Sequence, residues 1–512
     1  MPDPLRLIDT VEHADTRLGR VPLQRSVVDA STWEALAVEL SQNRNWSLLA
    51  HWAEPDAVHM ALLDAADNTI AVVTLPCPTR RYPSLARHHP PAIRLERSIR
   101  DLYGLEPEHA PDPRPWLDHG TWLQRHPLAM APSAPATVPP YPFLVAEGDG
   151  LHQIAVGPVH AGIIEPGHFR FSANGETVVR LEERLGYVHK GIESLWRDSN
   201  LEHAARLAAR VSGDSTVAVS IAFARAAEAA LGVTVPARAL WLRGLMAELE
   251  RIANHVGDIG AICNDASFTL MHAHCGVLRE RVLRASHIAF GHRLMMDRVV
   301  PGGVAVDPTN QRIDAIRRVV DEIEQRFPAL VELYDDTPSL QDRTVGTGVL
   351  APALAEHYAA GGFVGRASGR TFDARRATPY APYDALTFDV PVRTLGDVNE
   401  RVWIRILEVA QSLVLIRQIL DELPRLQGDV ITEVNWRAQA PVGEGAALVE
   451  GFRGDIFAWL RIDDRGRVAR CHVRDPSWFQ WPLLEAVVEG NIVADFPLCN
   501  KSFNCSYAGH DL

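Results

Sequence analysis

"ARALWLRGLMAELERIANHVGDIGAI", residues 237–262, carries the longest periodic signal in the chain. Its apolar residues recur at i, i+3, i+4 and i+7 over several turns, the spacing of one face of an α-helix. Similar patterns lie on either side. "HAHCGVLRERVLRASHIAF" (272–290) and "IDAIRRVVDEIEQRFPALVELYDDT" (313–337) follow it, and "NERVWIRILEVAQSLVLIRQILDELP" (399–424) comes later. Helices that each have one apolar face must bury those faces against one another, so this part of the chain reads as a helical bundle.

The chain outside the bundle has a different texture. "DAVHMALLDA" and "NTIAVVTLPC" read as strands around a turn at Ala66-Asp67-Asn68, and "TWEALAVELSQNRNW" (32–46) as a helix. "ERSIRDLYGL" reads as a short helix. Residues 1–125 therefore form a small α+β domain. The stretch "PLAMAPSAPATVPPYPF" (127–143) is rich in Pro and Ala. Proline fixes φ and removes donors, which marks 126–149 as an extended linker. Strands with turns follow from about 150, the helices occupy the middle, and "DIFAWLRIDDRGRVARCHVRD" reads as a hairpin turning at Asp464-Arg465-Gly466. Residues 360–390 read as loop. The fold class is α+β, with a mostly helical domain at 150–512 carrying small peripheral sheets.

Bulk properties exclude several functions. The 512 residues are 47% hydrophobic and 22% charged, with a net charge of −13. That charge provides no basic field for nucleic acid. The six cysteines form no C-x-x-C and no disulfide framework, which suits a reducing compartment. No apolar run reaches the ~20 residues of a membrane span, and no signal peptide is expected at the start.

Two short segments carry the candidate chemistry. "ARVSGDSTVA" (209–218) places Ser212 and Ser215 at the spacing of a metal-binding C-x-x-C, and "NCSYAGHDL" (504–512) places Ser506 and Gly509 at the same separation. Read alone, Ser-Gly-Asp-Ser is a helix N-cap. No G-x-S-x-G elbow or S-x-x-K occurs here to make a serine nucleophile. His255 and Asp258, at i and i+3, read as a local hydrogen-bonded pair, Arg453 with Asp455 as a turn ion pair, and Glu165 as a cap for "PGHF".

A family resemblance sharpens these readings. "GPVHAGIIEPGHFRF", "LEERLGYVHKGIESL", "RVSGDSTVA", "AELERIANHVGDIGA", "VPGGV", "GRASGRTFDARRATPYAPYD", "RCHVRDPSW" and "DFPLCNKSF…YAGHDL" occur in order. Together they resemble the large subunit of membrane-bound (group 4) nickel–iron hydrogenases, as in formate hydrogenlyase, and the D subunit of respiratory complex I. "ERSIRDLYGLEPEHAPDPRPWLDHGTW" (96–122) resembles the complex I C subunit. The resemblance places the four metal-binding cysteines on Ser212, Ser215, Ser506 and Gly509. Hydroxyls and a glycine replace soft thiolates, so the site is read as a vestige that binds no nickel–iron centre. In complex I the corresponding region binds a quinone. There His160 matches a first histidine, but the quinone-ligating His and Tyr fall on Ile164 and Gly213. Glu165 takes the place of a proton-relay carboxylate, and Arg453 that of a basic residue beside the centre, with Val442 in "APVGE" read as a decoy. His255 and Asp258 match pocket residues, and His189 and Lys190 a pair facing a partner iron–sulfur cluster.

The resemblance implies a peripheral subunit on the cytoplasmic face of the inner membrane. It implies an iron–sulfur small subunit like the complex I B subunit and antiporter-like membrane subunits as partners. No cofactor of its own is assigned, a quinone is the candidate ligand, and the cluster belongs to the partner. Two roles stand open: electron transfer to a quinone-like acceptor coupled to ion transport, or a non-redox scaffold.

Overall fold

The computed structural model describes residues 23–135, 139–160, 164–432 and 443–512. Val442 and residues 136–138 of the linker lie outside them. The N-terminal region runs β1 (Leu23–Val27), α1 (Ala30–Gln42), β2 (Trp46–Glu54), β3 (Ala57–Asp64), β4 (Thr69–Pro76) and α2 (Ile93–Tyr103). Its sheet has the order β1-β4-β3-β2, with β1 parallel to β4 and the other pairs antiparallel. The β3–β4 turn falls where the sequence places it: Ala66 N donates to Asp64 Oδ1 at 2.9 Å, and Asn68 takes φ 60°.

The helix read over 32–46 stops at Gln42 instead. Asn45 N donates to Asn43 Oδ1 at 3.0 Å, a local turn that competes with the helix. Trp46 then opens β2, and its indole N–H donates to Asp64 Oδ2 across the strand pair at 3.0 Å. The tertiary partner overrides the local helical pattern.

The larger region begins with an antiparallel meander, β5 (Leu151–Val156), β6 (His168–Asn174) and β7 (Thr177–Arg184). The long helices follow as α3 (Thr216–Leu231), α4 (Ala237–Asp265), α5 (Thr269–Phe290), α6 (Asn310–Asp335) and α7 (Val398–Glu422). On α4 the stripe Leu242, Leu245, Met246, Leu249, Ile252, Val256 and Ile259 is buried, as its period requires. Residues 360–390 are not all loop: short helices occupy Gly362–Arg366 and Ala374–Ala377, the second started by Asp373, whose carboxylate accepts from Arg375 N at 2.9 Å. Strands β8 (Gly443–Gly451), β9 (Gly454–Ile462) and β10 (Arg467–Arg474) form an antiparallel sheet. The chain closes with α8 (Ser477–Val488), α9 (Phe496–Phe503) and α10 (Tyr507–Asp511).

The N-terminal sheet packs on the β8–β10 sheet. Trp52 of β2 stacks on His472 (5.3 Å between centroids) and tilts against Trp459 (5.5 Å). Arg474 donates to Leu49 O at 2.5 Å, and Arg94 of α2 pairs with Glu183 at 3.1 Å and Glu485 at 2.8 Å. Between the regions, Leu128 and Ala129 are buried while residues 130–135 are mostly exposed, and Tyr141 lies under the Arg184 guanidinium at 4.4 Å. "DPSWFQWP" is core: Trp478, Phe479 and Trp481 are buried on α8.

Candidate functional site

The fold brings the two serine pairs together. Ser506 precedes α10 and caps it, its Oγ accepting from Gly509 N at 2.8 Å. The same hydroxyl donates to Ser212 Oγ at 3.1 Å, and Ser212 Oγ donates to Asp214 Oδ1 at 2.6 Å. Ser215 Oγ reaches Asp214 Oδ1 only at 3.5 Å. Ser212 and Ser215 do not cap the helices they precede. That task falls to Glu250 on α4, whose carboxylate accepts from Val217 N (2.7 Å) and Ala218 N (3.0 Å) at the start of α3.

Asp214, inside the motif but not itself singled out by sequence, is the centre of the cluster. Arg453 grips it with two hydrogen bonds, Nη1 to Oδ1 at 3.0 Å and Nη2 to Oδ2 at 2.5 Å, and donates from Nε to Asn504 O at 2.5 Å. Burial works to raise the Asp214 carboxyl, but the Arg453 charge and hydrogen bonds hold it well below the usual range. Arg453 pairs with Asp214 and not with Asp455, which is held by Arg474 at 2.5 Å.

Around this centre the other candidates take distinct places. Glu165 does not cap "PGHF". Its Oε2 accepts from Ala508 N at 3.2 Å, and burial raises its pKa, with the Asp214 charge adding to the rise. Lys190 Nζ donates to Arg210 O (3.0 Å) and Val211 O (2.7 Å), holding the strand of chain that leads into Ser212. His189 Nδ1 donates to Asp511 O at 2.7 Å, and its ring lies 5.0 Å from Trp122. His160 donates from Nε2 to Gly167 O at 2.7 Å.

His255 and Asp258 do not bond to each other. Asp258 accepts from Lys501 Nζ (3.0 Å) and Asn504 Nδ2 (2.9 Å) and lies 3.4 Å from Arg405 Nε. Asn504 thus links Asp258 to Arg453. His255 is fully buried and bonds Glu408 Oε2 at 2.7 Å, deeper in the bundle, where Glu408 also accepts from Arg366 at 2.7 Å. Asp214, Glu250, Lys501 and Asn504 lie within the motifs read from sequence, where alternative roles as caps or surface charges hid them. Glu408 carried no signal, being one acid among many on a helix.

The donor set does not fit a nickel–iron centre. Its four positions offer three hydroxyls and a glycine, and two of those hydroxyls are bonded to each other. A Cβ on Gly509 would fall 2.6 Å from Asp475 Oδ2 and 2.9 Å from Ser506 Oγ, so a thiol there has no room without a shift. The nearby thiols are engaged elsewhere. Cys505 Sγ lies 4.0 Å from Gln480 Oε1, and Cys499 packs against Gly348, with burial pushing its pKa up to about 12. Among the described residues, no group of three or more His, Cys, Asp or Glu could hold a metal ion. The side of Gly213, in contrast, is open: apart from its chain neighbours Ser212 and Asp214, no described residue stands within 4 Å of a Cβ built there. Asp214 keeps 35% of its side chain exposed beside that space.

Comparison with known proteins places this geometry in a lineage. The family described as "Respiratory-chain NADH dehydrogenase, 49 Kd subunit" matches residues 265–511, and "Respiratory-chain NADH dehydrogenase, 30 Kd subunit" matches 27–135. Formate hydrogenlyase subunit 5 of Escherichia coli (strain K12) is 30% identical over 440 residues, 84% of this chain and 77% of that protein. A D-type NADH-quinone oxidoreductase subunit of Roseiflexus sp. (strain RS-1) is 33% identical over 352 residues, 67% of this chain and 94% of that protein. A chain of the membrane-bound sulfane sulfur reductase, an archaeal respiratory membrane complex, superposes with a TM-score of 0.67 at 25% identity, covering 72% of this chain and 100% of that one. The chain belongs to the family of 49 kDa-type respiratory NADH dehydrogenase and hydrogenase subunits, with a 30 kDa-type region fused ahead of it.

Proposed function

We propose that this protein is the large peripheral-arm subunit of a membrane-bound oxidoreductase complex, and that it accepts electrons from an iron–sulfur cluster in a partner small subunit. The acceptor is a quinone-like molecule bound beside Gly213 and Asp214, and its reduction is coupled to ion transport by antiporter-like membrane subunits. The arm lies on the cytoplasmic face of the inner membrane. Among the described residues no helix is long and apolar enough to cross a membrane.

One observation carries the reading. Where the resemblance puts a four-thiolate metal site, this chain has a hydrogen-bonded run from Gly509 N–H through Ser506 and Ser212 to the Asp214–Arg453 pair, open to the space beside Gly213. Reducing a quinone to a quinol takes two electrons and two protons. In this proposal the electrons come from the partner's cluster. Glu165, with its raised pKa, delivers protons toward the acceptor, and Asp258, through Asn504 and Lys501, connects Arg453 to the bundle. His189 fixes the C-terminal segment through Asp511 O, and Lys190 holds residues 210 and 211, on the side facing the cluster, while His160 bonds Gly167, two residues after Glu165.

A second reading rests on the same bonds. The Ser212 and Ser506 hydroxyls are satisfied within the chain, which suits a scaffold that has closed its former site. Electron paramagnetic resonance on the assembled complex separates the two. Oxidation of the partner's cluster by an added short-chain quinone, slowed in Ser212→Ala, supports the redox role. A cluster indifferent to every quinone, with wild-type ion transport in Ser212→Ala, leaves the scaffold.

A further inference from the structure

A pair of acids lies where α2 of the N-terminal region meets β7 and α8, and one arginine holds both. Arg94 of α2 donates from Nη1 to Glu183 Oε2 at 3.1 Å, and its Nη2 lies 2.8 Å from Glu485 Oε1. Glu485 Oε1 also accepts from Glu183 N at 2.8 Å. The two carboxyl groups therefore sit side by side on the two prongs of one guanidinium, whose face rests on the Trp116 ring at 4.6 Å. The neighbouring arginines are committed elsewhere. Arg97 pairs with Asp112 at 3.0 Å, and Arg114 pairs with Asp112 at 2.7 Å and with Glu182.

One positive charge shared between two buried acids favours keeping one of them neutral. The Glu183 side chain is fully buried, and its Oε1 has no hydrogen-bond partner among the described residues. A buried anionic oxygen without a donor is costly, and protonation removes that charge. Glu485 differs: its side chain is 25% exposed, and its Oε1 takes two donors. The negative charge thus belongs on Glu485 and the proton on Glu183. Burial and the Glu485 charge push the Glu183 carboxyl well above the usual carboxylate range, and Arg94 offsets them only in part. Burial raises Glu485 too, with Glu182 adding to the rise. The other titratable groups facing the pair are Arg97, Tyr141, Tyr358, Cys505 and Tyr507. Burial raises Tyr358, Cys505 and Tyr507, so these three stay neutral and supply no balancing charge.

We propose that Glu183, Glu485 and Arg94 form a proton-binding site, in which the two carboxyl groups hold one proton between them at neutral pH and release it to solvent through Glu485. On release the Glu183 O–H bond breaks, the proton passes by way of Glu485 to a base in solvent, and two carboxylates are left on one guanidinium. Arg94 belongs to the N-terminal region and both acids to the larger one, so the proton sets the strength of the seam between them. Both carboxyl pKa values lie above their unfolded values. The seam's contribution is therefore full at acid pH and is lost as pH rises through the raised values. The site needs no electron acceptor, and its test reads no redox step.

Infrared difference spectroscopy of the purified full chain, stepped from neutral to alkaline pH, tests this. Spectra are compared as wild type minus variant, because burial also raises Glu96 to about 7 and Glu250 to about 8. The carbonyl band of a neutral carboxylic acid should vanish from wild type as pH rises and should be missing at every pH from Glu183→Gln. In Glu485→Gln, Glu183 has Arg94 to itself and ionises, so the band should be lost at a lower pH. Urea melts over the same range should show the wild-type folding constant falling, relative to Glu183→Gln, by up to about tenfold per pH unit. Glu485→Gln carries the test alone if Glu183→Gln does not fold. A band that titrates identically in wild type and Glu485→Gln, or that persists in Glu183→Gln, would overturn the proposal.

Discussion

Replacing Asp214 with Ala should release the C-terminal segment locally without unfolding the protein. Arg453 is 5% exposed and donates two hydrogen bonds to the Asp214 carboxylate. Removing one partner of a fully buried pair costs about 3–5 kcal/mol, chiefly because the other charge is left buried. The Asp214 side chain is 35% exposed, so water relieves part of that cost and we take about 2–3 kcal/mol. Arg453 also holds Asn504 O, and Ser212 loses its acceptor, so the cost falls on the contact between 211–217 and 504–512. At about 1.36 kcal/mol per tenfold, local opening there becomes roughly 30- to 150-fold more frequent. Hydrogen–deuterium exchange read by mass spectrometry, on peptides spanning those two segments, measures this directly. Arg453→Met should produce a similar rise, and the double variant should be no worse than the worse single, because the two residues act as a unit. A change below about 3-fold in Asp214→Ala, or additive effects in the double variant, would refute the view that this pair clamps the site.

Ser215→Cys should be nearly silent in a urea melt, under about 1.5 kcal/mol as for a volume-conserving swap. Gly509→Ala should cost about 1–3 kcal/mol, because its new methyl meets Asp475 Oδ2 at 2.6 Å. Elemental analysis of the purified chain should find nickel far below one atom per chain, since the site offers hydroxyls in place of thiolates. Acid stability should depend on Glu193. Burial works to raise its carboxyl, but Arg470 and His472 bring it down to about 2 from an ordinary 4.5. The folded pKa lies below the unfolded one, so the contribution, about 3 kcal/mol, is present above roughly pH 4.5 and is lost as pH falls toward 2. Glu193→Gln should flatten the stability profile across that window. We propose further that the exposed stretch within 126–149 joins two domains, 1–125 and 150–512. Limited proteolysis should then cut there first, and earlier cuts inside 200–300 would count against the boundary.

The long helices were legible because their cause is local. Burying one face of a helix imposes a 3.6-residue period, and Leu242 to Ile259 display it within a single segment. The turn at 66–68 and the hairpin at 464–466 were legible for the same reason, through short side chains that bond their own backbone. The two pairs Ser212/Ser215 and Ser506/Gly509 could also be picked out, since they keep a C-x-x-C spacing inside recognisable motifs. The bonding around them could not. Asp214 and Arg453 are separated by 239 positions, Ser212 and Ser506 by 294, and His255 and Glu408 by 153. Most of these residues have a respectable local partner three or fewer positions away, and the local pairing was the natural expectation. Packing of α4 and α7 against the closing helices decided otherwise. A buried charge takes the partner that excludes water best and bonds it best, and only the assembled tertiary structure determines which side chain that is.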